Sequence, residues 1–209
     1  MLTTRVICVN KSENDIVVLF RCASILEEKT SVLYMKIAER IQLPLVKSHF
    51  LHIAHDSQKH SAIFEGISES IKKSESKPKD CEKKLGQVWQ VTQNLTQEVT
   101  SKQKISEDEM TRLVEKLTPI ESFMGEEYYI FVQVKTLRFL TKEIRQIYNV
   151  DLESVKYVLE GVIRDEETHL RLLSTIKEIL VKRELKRQDN VPEVKYQSPD
   201  AWIRSLPYR

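Results

Sequence analysis

Glycine and proline are scarce in this chain, at 4 and 6 of 209 residues. Strand-and-turn folds need frequent tight turns built on those residues, so the scarcity argues against a sandwich, a barrel or a meander. Cysteine is scarce too. Cys8, Cys22 and Cys81 are odd in number and their spacing fits neither a disulfide framework nor a zinc ribbon, so a reducing, cytoplasmic compartment is the expectation. Charge of one sign is lacking: 33 basic against 31 acidic residues leave a net charge of +2, and nothing global draws nucleic acid or an anionic membrane. No run of about 18 uncharged apolar residues is present to span a bilayer. The first residues lack the charged-then-apolar order of a secretion signal. What is abundant is apolar and charged side chains together, 41% and 31%, enough for a sizeable core and too ordered a composition for a disordered chain.

Apolar residues recur at helical spacing over most of the chain. The pattern predicts helices over about 14–42, 44–74, 119–148 and 152–187, with Pro44 opening the second. Thr118-Pro119-Ile120-Glu121 reads as a helix start, with Thr as N-cap, Pro at the first helical position and Glu closing a capping box. Residues 75–118 form a crossover containing shorter helices, one over 85–101 and one from Ser106 to Leu117. Residues 1–10 read as a short extended piece, and 188–209 as a proline- and aromatic-containing tail. Two tight helical hairpins joined by a long crossover give an all-α four-helix bundle.

Each long helix carries an inward stripe at alternating spacings of three and four. The first reads Phe20, Ser24, Glu27, Ser31, Tyr34, Ala38, Ile41, and the second Val46, Phe50, Ile53, Ser57, His60, Phe64, Ile67. The third is read through Phe123, Glu126, Ile130, Gln133 and Leu137, and the fourth through Leu159, Val162, Glu166, His169, Leu173 and Ile176. Polar residues interrupt every stripe near its middle. A buried carboxylate without a partner is costly, so these interruptions ask for one. Residues three apart share a helix face, so Glu166 and His169 converge on one point, where a borderline cation would satisfy carboxylate and imidazole together.

These residues resemble the ferritin-like di-iron carboxylate proteins, and among them the rubrerythrins, which place a Glu on each of two helices and a Glu-x-x-His on the other two. Glu166-x-x-His169 matches the second of those motifs, and Glu27 with Tyr34 resembles the family's first-helix Glu-x6-Tyr. The departures are Ser57 where the motif of the second helix has Glu, and Gln133 where the third helix is expected to have it. Asp56 lies about 100° off the stripe, a poor substitute, and Glu126 lies two turns before Gln133. The resemblance implies metal ligation by Glu27, His60, Glu166 and His169, with Ser57, Gln133 and Glu126 as orienting or substitute groups and Tyr34 as the catalytic residue. It implies iron or manganese, one ion or two, reacting with dioxygen or peroxide. It further implies a homodimer and a separate electron donor, since the sequence has no Cys-x-x-Cys. The competing expectation is a degenerate bundle that binds no metal and serves assembly or partner binding. His52 and His55, three apart, read as solvated or interface residues.

Overall fold

The computed structural model describes residues 13–71, 78, 80–130 and 152–189. Among them the chain forms six helices and no strand: α1 (Glu13–Arg40), α2 (Pro44–Ile71), α3 (Cys81–Leu85), α4 (Gln87–Thr100), α5 (Glu107–Ile130) and α6 (Leu152–Asp189). α1 packs along α2 and α5 along α6, and α2 meets α6 to close a four-helix bundle. Proline at the first position of α2 costs no hydrogen bond, because that N–H would lack a helical partner anyway. The Leu43 carbonyl accepts the first bond of the helix from Lys47 N–H at 2.8 Å. No helix among the described residues is long and apolar enough to cross a membrane.

The stripes of α1 and α2 are buried along their length, and on α6 the buried series is Leu159, Val162, Glu166, His169, Leu173, Ile176 and Leu180. Stacked rings flank the polar middle of the bundle, Phe20 on Phe64 at 6.1 Å and Tyr34 on Phe50 at 5.9 Å between centroids. In the crossover, α4 buries Val88, Thr92, Leu95 and Val99, one face at helical spacing, and packs against α1. Gly86 joins α3 to α4 at φ +59°, a conformation that side-chain-bearing residues rarely adopt.

Two sequence expectations are overturned. The third long helix does not begin at Thr118. α5 starts at Glu107 and runs through Pro119, and Thr118 Oγ1 donates to the Val114 carbonyl at 2.9 Å, a mid-helix bond rather than a cap. The capping box lies one helix segment earlier, at Ser106: the Ser106 N–H donates to Glu109 Oε2 at 2.9 Å, and the Glu109 N–H donates back to Ser106 Oγ at 3.3 Å. The second correction concerns the cysteines. Cys22 and Cys81 form a disulfide between α1 and α3, so the expectation of no disulfide framework fails. The inference of a reducing compartment loses its support with it.

The cap carries a prediction. Lys102 Nζ donates to Glu109 Oε1 at 2.6 Å, and that lysine, with the Ser106 N–H and hydroxyl, holds the Glu109 carboxyl down at about 2. A depressed carboxylate stabilises the fold above its unfolded-state value, and that contribution is lost as pH falls toward about 2. A carbon-detected NMR titration of Glu109 should show a midpoint near 2, and Lys102→Met should move it up toward the ordinary carboxylate range. An unmoved midpoint in Lys102→Met would show that the lysine does not hold the proton off.

Candidate metal centre

Four helices send polar side chains to one point in the bundle. α1 supplies Glu27 and Tyr34, α2 Ser57 and His60, α5 Glu121, and α6 Glu166 and His169, and all seven are fully enclosed, at 0% exposure. His60 Nδ1 lies 3.1 Å from Glu166 Oε1 and 3.5 Å from Glu27 Oε1. His169 Nδ1 lies 2.9 Å from Glu121 Oε2 and 3.5 Å from Glu166 Oε2. The ligating atoms therefore fall into two groups, Glu27–His60–Glu166 and Glu121–Glu166–His169, with Glu166 common to both. Gly125 of α5 helps admit this crowding, since a methyl group there would sit 3.4 Å from Glu166 Cβ.

Each imidazole is fixed from behind. His60 Nε2 pairs with Asp165 Oδ2 at 3.0 Å, and His169 Nε2 with Asp56 Oδ2 at 3.3 Å. Lys59 Nζ donates to Asp56 at 2.7 Å and to Asp165 at 2.8 Å, tying the two supports together. His52, more than half exposed, also reaches Asp56, at 3.1 Å. A carboxylate on one ring nitrogen sets the tautomer and turns the other nitrogen, here Nδ1, toward the cluster, the arrangement typical of metal-bound histidine. The Tyr34 hydroxyl donates to Glu121 Oε1.

The electrostatics follow from three carboxylates and two imidazoles shut away from water. Burial opposes charge on His60, but the Glu166 and Glu27 carboxylates more than offset it and hold the ring up at about 10. Burial likewise opposes charge on His169, and Glu121 with Glu166 raises it to about 11. Burial, reinforced by the charge of Glu27, lifts Glu166 to about 7 against the pull of both histidines. Burial and Glu121 push Tyr34 well above the usual phenol range. Burial would also raise Asp56 and Asp165, yet Lys59 and the adjoining histidines hold both below the usual carboxylate range. The cluster as it stands keeps positive charge among its carboxylates.

The donor set fits metal ions. His60 Nδ1, both Glu166 oxygens and Ser57 Oγ are buried without a hydrogen-bond partner, the close approach of His60 to Glu166 not being aligned as one. Buried polar atoms are almost always satisfied, and a cation between Nδ1 and the carboxylate oxygens would satisfy the first three. Mixed carboxylate and imidazole donors suit borderline divalent ions such as iron and manganese.

The structure brings Glu27, His60, Glu166 and His169 together, with Tyr34 and Ser57 in the same enclosed layer. It does not bring Glu126 there: Glu126 is exposed and accepts from Ser122 Oγ at 3.3 Å, because the inward face of α5 runs through Leu113, Leu117, Ile120, Glu121 and Met124. Gln133 lies outside the described residues. The α5 carboxylate of the cluster is Glu121, which the sequence reading spent on a capping box. An internal echo could have found it: Glu121 is followed seven residues later by Tyr128, as Glu27 is by Tyr34. Asp56, off the stripe as expected, supports His169 from outside the inner layer.

The rubrerythrin family model matches residues 19–177, from before Glu27 to beyond His169. No curated protein and no solved structure gives a significant match. A match over more than half of the chain, across a ferritin-like bundle with carboxylates and histidines at its middle, is decisive: this chain belongs to the rubrerythrin family.

Proposed function

We propose that the chain is an iron- or manganese-dependent oxidoreductase that reacts with dioxygen or peroxide at a two-ion carboxylate and histidine centre. The observation that supports this most is the sharing of Glu166 between two ligand groups, each with one further carboxylate and one histidine of its own. Glu27 and His60 would hold one ion, Glu121 and His169 the other, and Glu166 would span them. The bound ions would supply the redox chemistry. The protein's part is to exclude water, to aim each Nδ1 inward through Asp165 and Asp56, and to hold the Glu121 carboxylate through the Tyr34 hydroxyl, which makes Tyr34 a positioning residue. The electron donor would lie outside these 209 residues, because they contain no Cys-x-x-Cys module.

Metal uptake should release protons, because ligating imidazoles must be neutral and those of His60 and His169 hold their protons up to about 10 and 11. The sign is fixed: protons compete with the cation, so loading weakens as pH falls. Calorimetry of manganese binding in two buffers of different ionisation enthalpy should report about one proton released per ion. Binding without proton release would show that both imidazoles are already neutral before the metal arrives.

One observation favours a second reading, a bundle that carries no metal. Tyr34, Glu121 and His169 already form a closed hydrogen-bonded set. Metal content after purification without an affinity tag, and after reloading with iron and manganese, separates the two. About two ions per chain support the oxidoreductase, and none supports the metal-free bundle.

A further inference from the structure

The centre is built as two matching halves. Glu27 corresponds to Glu121, His60 to His169, and each ring leans on an aspartate of the opposite helix, Asp165 behind His60 and Asp56 behind His169. The helical segments repeat as well, Asp56-Ser57-x-x-His60 on α2 and Asp165-Glu166-x-x-His169 on α6. The repeated segments differ at the ligand position itself: the counterpart of Glu166, the carboxylate common to both ligand groups, is Ser57.

Ser57 is fully enclosed and its hydroxyl has no hydrogen-bond partner. It sits between Ile53 and His60 on the buried stripe of α2, one turn from the His60 ring. A serine side chain stops where the carboxylate-bearing arm of glutamate continues. The position thus offers an unused hydroxyl donor where the other half of the centre offers a carboxylate. Enclosed hydroxyls seldom go unpaired, so a partner from outside the chain is called for.

The geometry points to a site beside Ser57 for a small exogenous carboxylate, which accepts a hydrogen bond from the Ser57 hydroxyl and takes the place opposite Glu166 between the two ions. This rests on the metal reading above, and it goes further by making the centre incomplete without an external anion. It also gives the Ser57 departure a role: a position closed by a protein ligand in a symmetric centre becomes one that a small external ligand fills.

The test uses the full chain stripped with chelator and reloaded with cobalt(II). Metal is counted by mass spectrometry, and formate is then titrated while the cobalt absorption bands are followed. The wild type should show a saturable change. Ser57→Glu brings its own carboxylate and should bind formate at least about tenfold more weakly while keeping its metal. Ser57→Ala keeps the space without the donor and should bind formate more weakly than the wild type but better than Ser57→Glu. Equal formate affinity in the wild type and Ser57→Glu would overturn the site. So would a cobalt-loaded wild type blind to formate, which leaves a buried water as the partner of Ser57. A wild type that takes up no cobalt overturns the metal reading and this inference together. Should Ser57→Glu fail to fold by circular dichroism, Ser57→Val, which fills the place with apolar atoms, must lose the formate response instead.

Discussion

Replacing Glu166 with alanine should empty both halves of the centre at once, whereas Glu27→Ala or Glu121→Ala should release one ion and spare the other. The difference follows from sharing: Glu166 contributes to each ligand group, and each of the other two carboxylates to one. Without Glu166, each half keeps one carboxylate and one imidazole, too few donors to compensate a divalent cation in a water-excluded site. The check is metal content after reloading, with circular dichroism to confirm that each variant is helical. Thermal stability gives an independent reading. A ligand at a hundred times its dissociation constant stabilises the native state by about 2.7 kcal/mol, so the wild type should melt several degrees higher with metal than without, and Glu166→Ala should show no such shift. A Glu166→Ala protein that still held two ions would refute the shared-carboxylate centre.

Reduction of the Cys22–Cys81 disulfide should be the largest purely structural perturbation. The bond closes a loop across a sequence separation of 59 residues. On the chain-entropy account, releasing a loop of that length costs about 4 kcal/mol, a fall of roughly 10 °C in melting temperature for a chain of this size. The bond fastens α3, and α4 behind it, to α1. Neither α3 nor α4 supplies a residue to the metal cluster, so metal content should survive reduction while the melting temperature drops. Thiol counting under denaturing conditions should find two of the three cysteines unreactive until reductant is added. A Cys22→Ser, Cys81→Ser double variant that melts with the wild type would mean that the packing of α4 on α1, through Val88, Leu95 and Val99, holds the crossover unaided.

Most of the bundle was legible because a long amphipathic helix repeats its signal many times. On α1, α2 and α6 the stripes averaged over local noise, and the polar interruptions Glu27, His60, Glu166 and His169 stood out as departures from an otherwise apolar face. The third stripe was misread for a local reason. Thr118-Pro119-x-Glu121 has the composition of a helix start, and proline inside a helix is disfavoured strongly enough to make that reading natural. In the folded chain the packing of α5 along α6 outweighs the cost of Pro119, so the helix runs on and its buried face continues from Leu113 and Leu117 through Ile120 and Met124. That face takes Glu121 into the core and leaves Glu126 to solvent.

The cysteine pairing was hidden for a different reason. A lone pair far apart in sequence has no spacing signature, and the bond depends on Cys22 facing the crossover rather than the solvent. The same holds for the aspartates. Asp56 and Asp165 each precede an inner-layer residue and point off the stripe, so helical periodicity marks them as surface positions. Their work is done across the helix interface, on the ring of the other helix.

Sequence alone determined the class of this protein: an all-α bundle with carboxylates and histidines set into apolar stripes. Those are consequences of composition and period, which act along the chain. Tertiary structure decided which carboxylate completes the cluster, which atom of each histidine faces it, that Glu166 serves both halves, and which cysteines meet. Those depend on the rotation of each helix about its own axis, and that rotation is set by what the neighbouring helices bury against it.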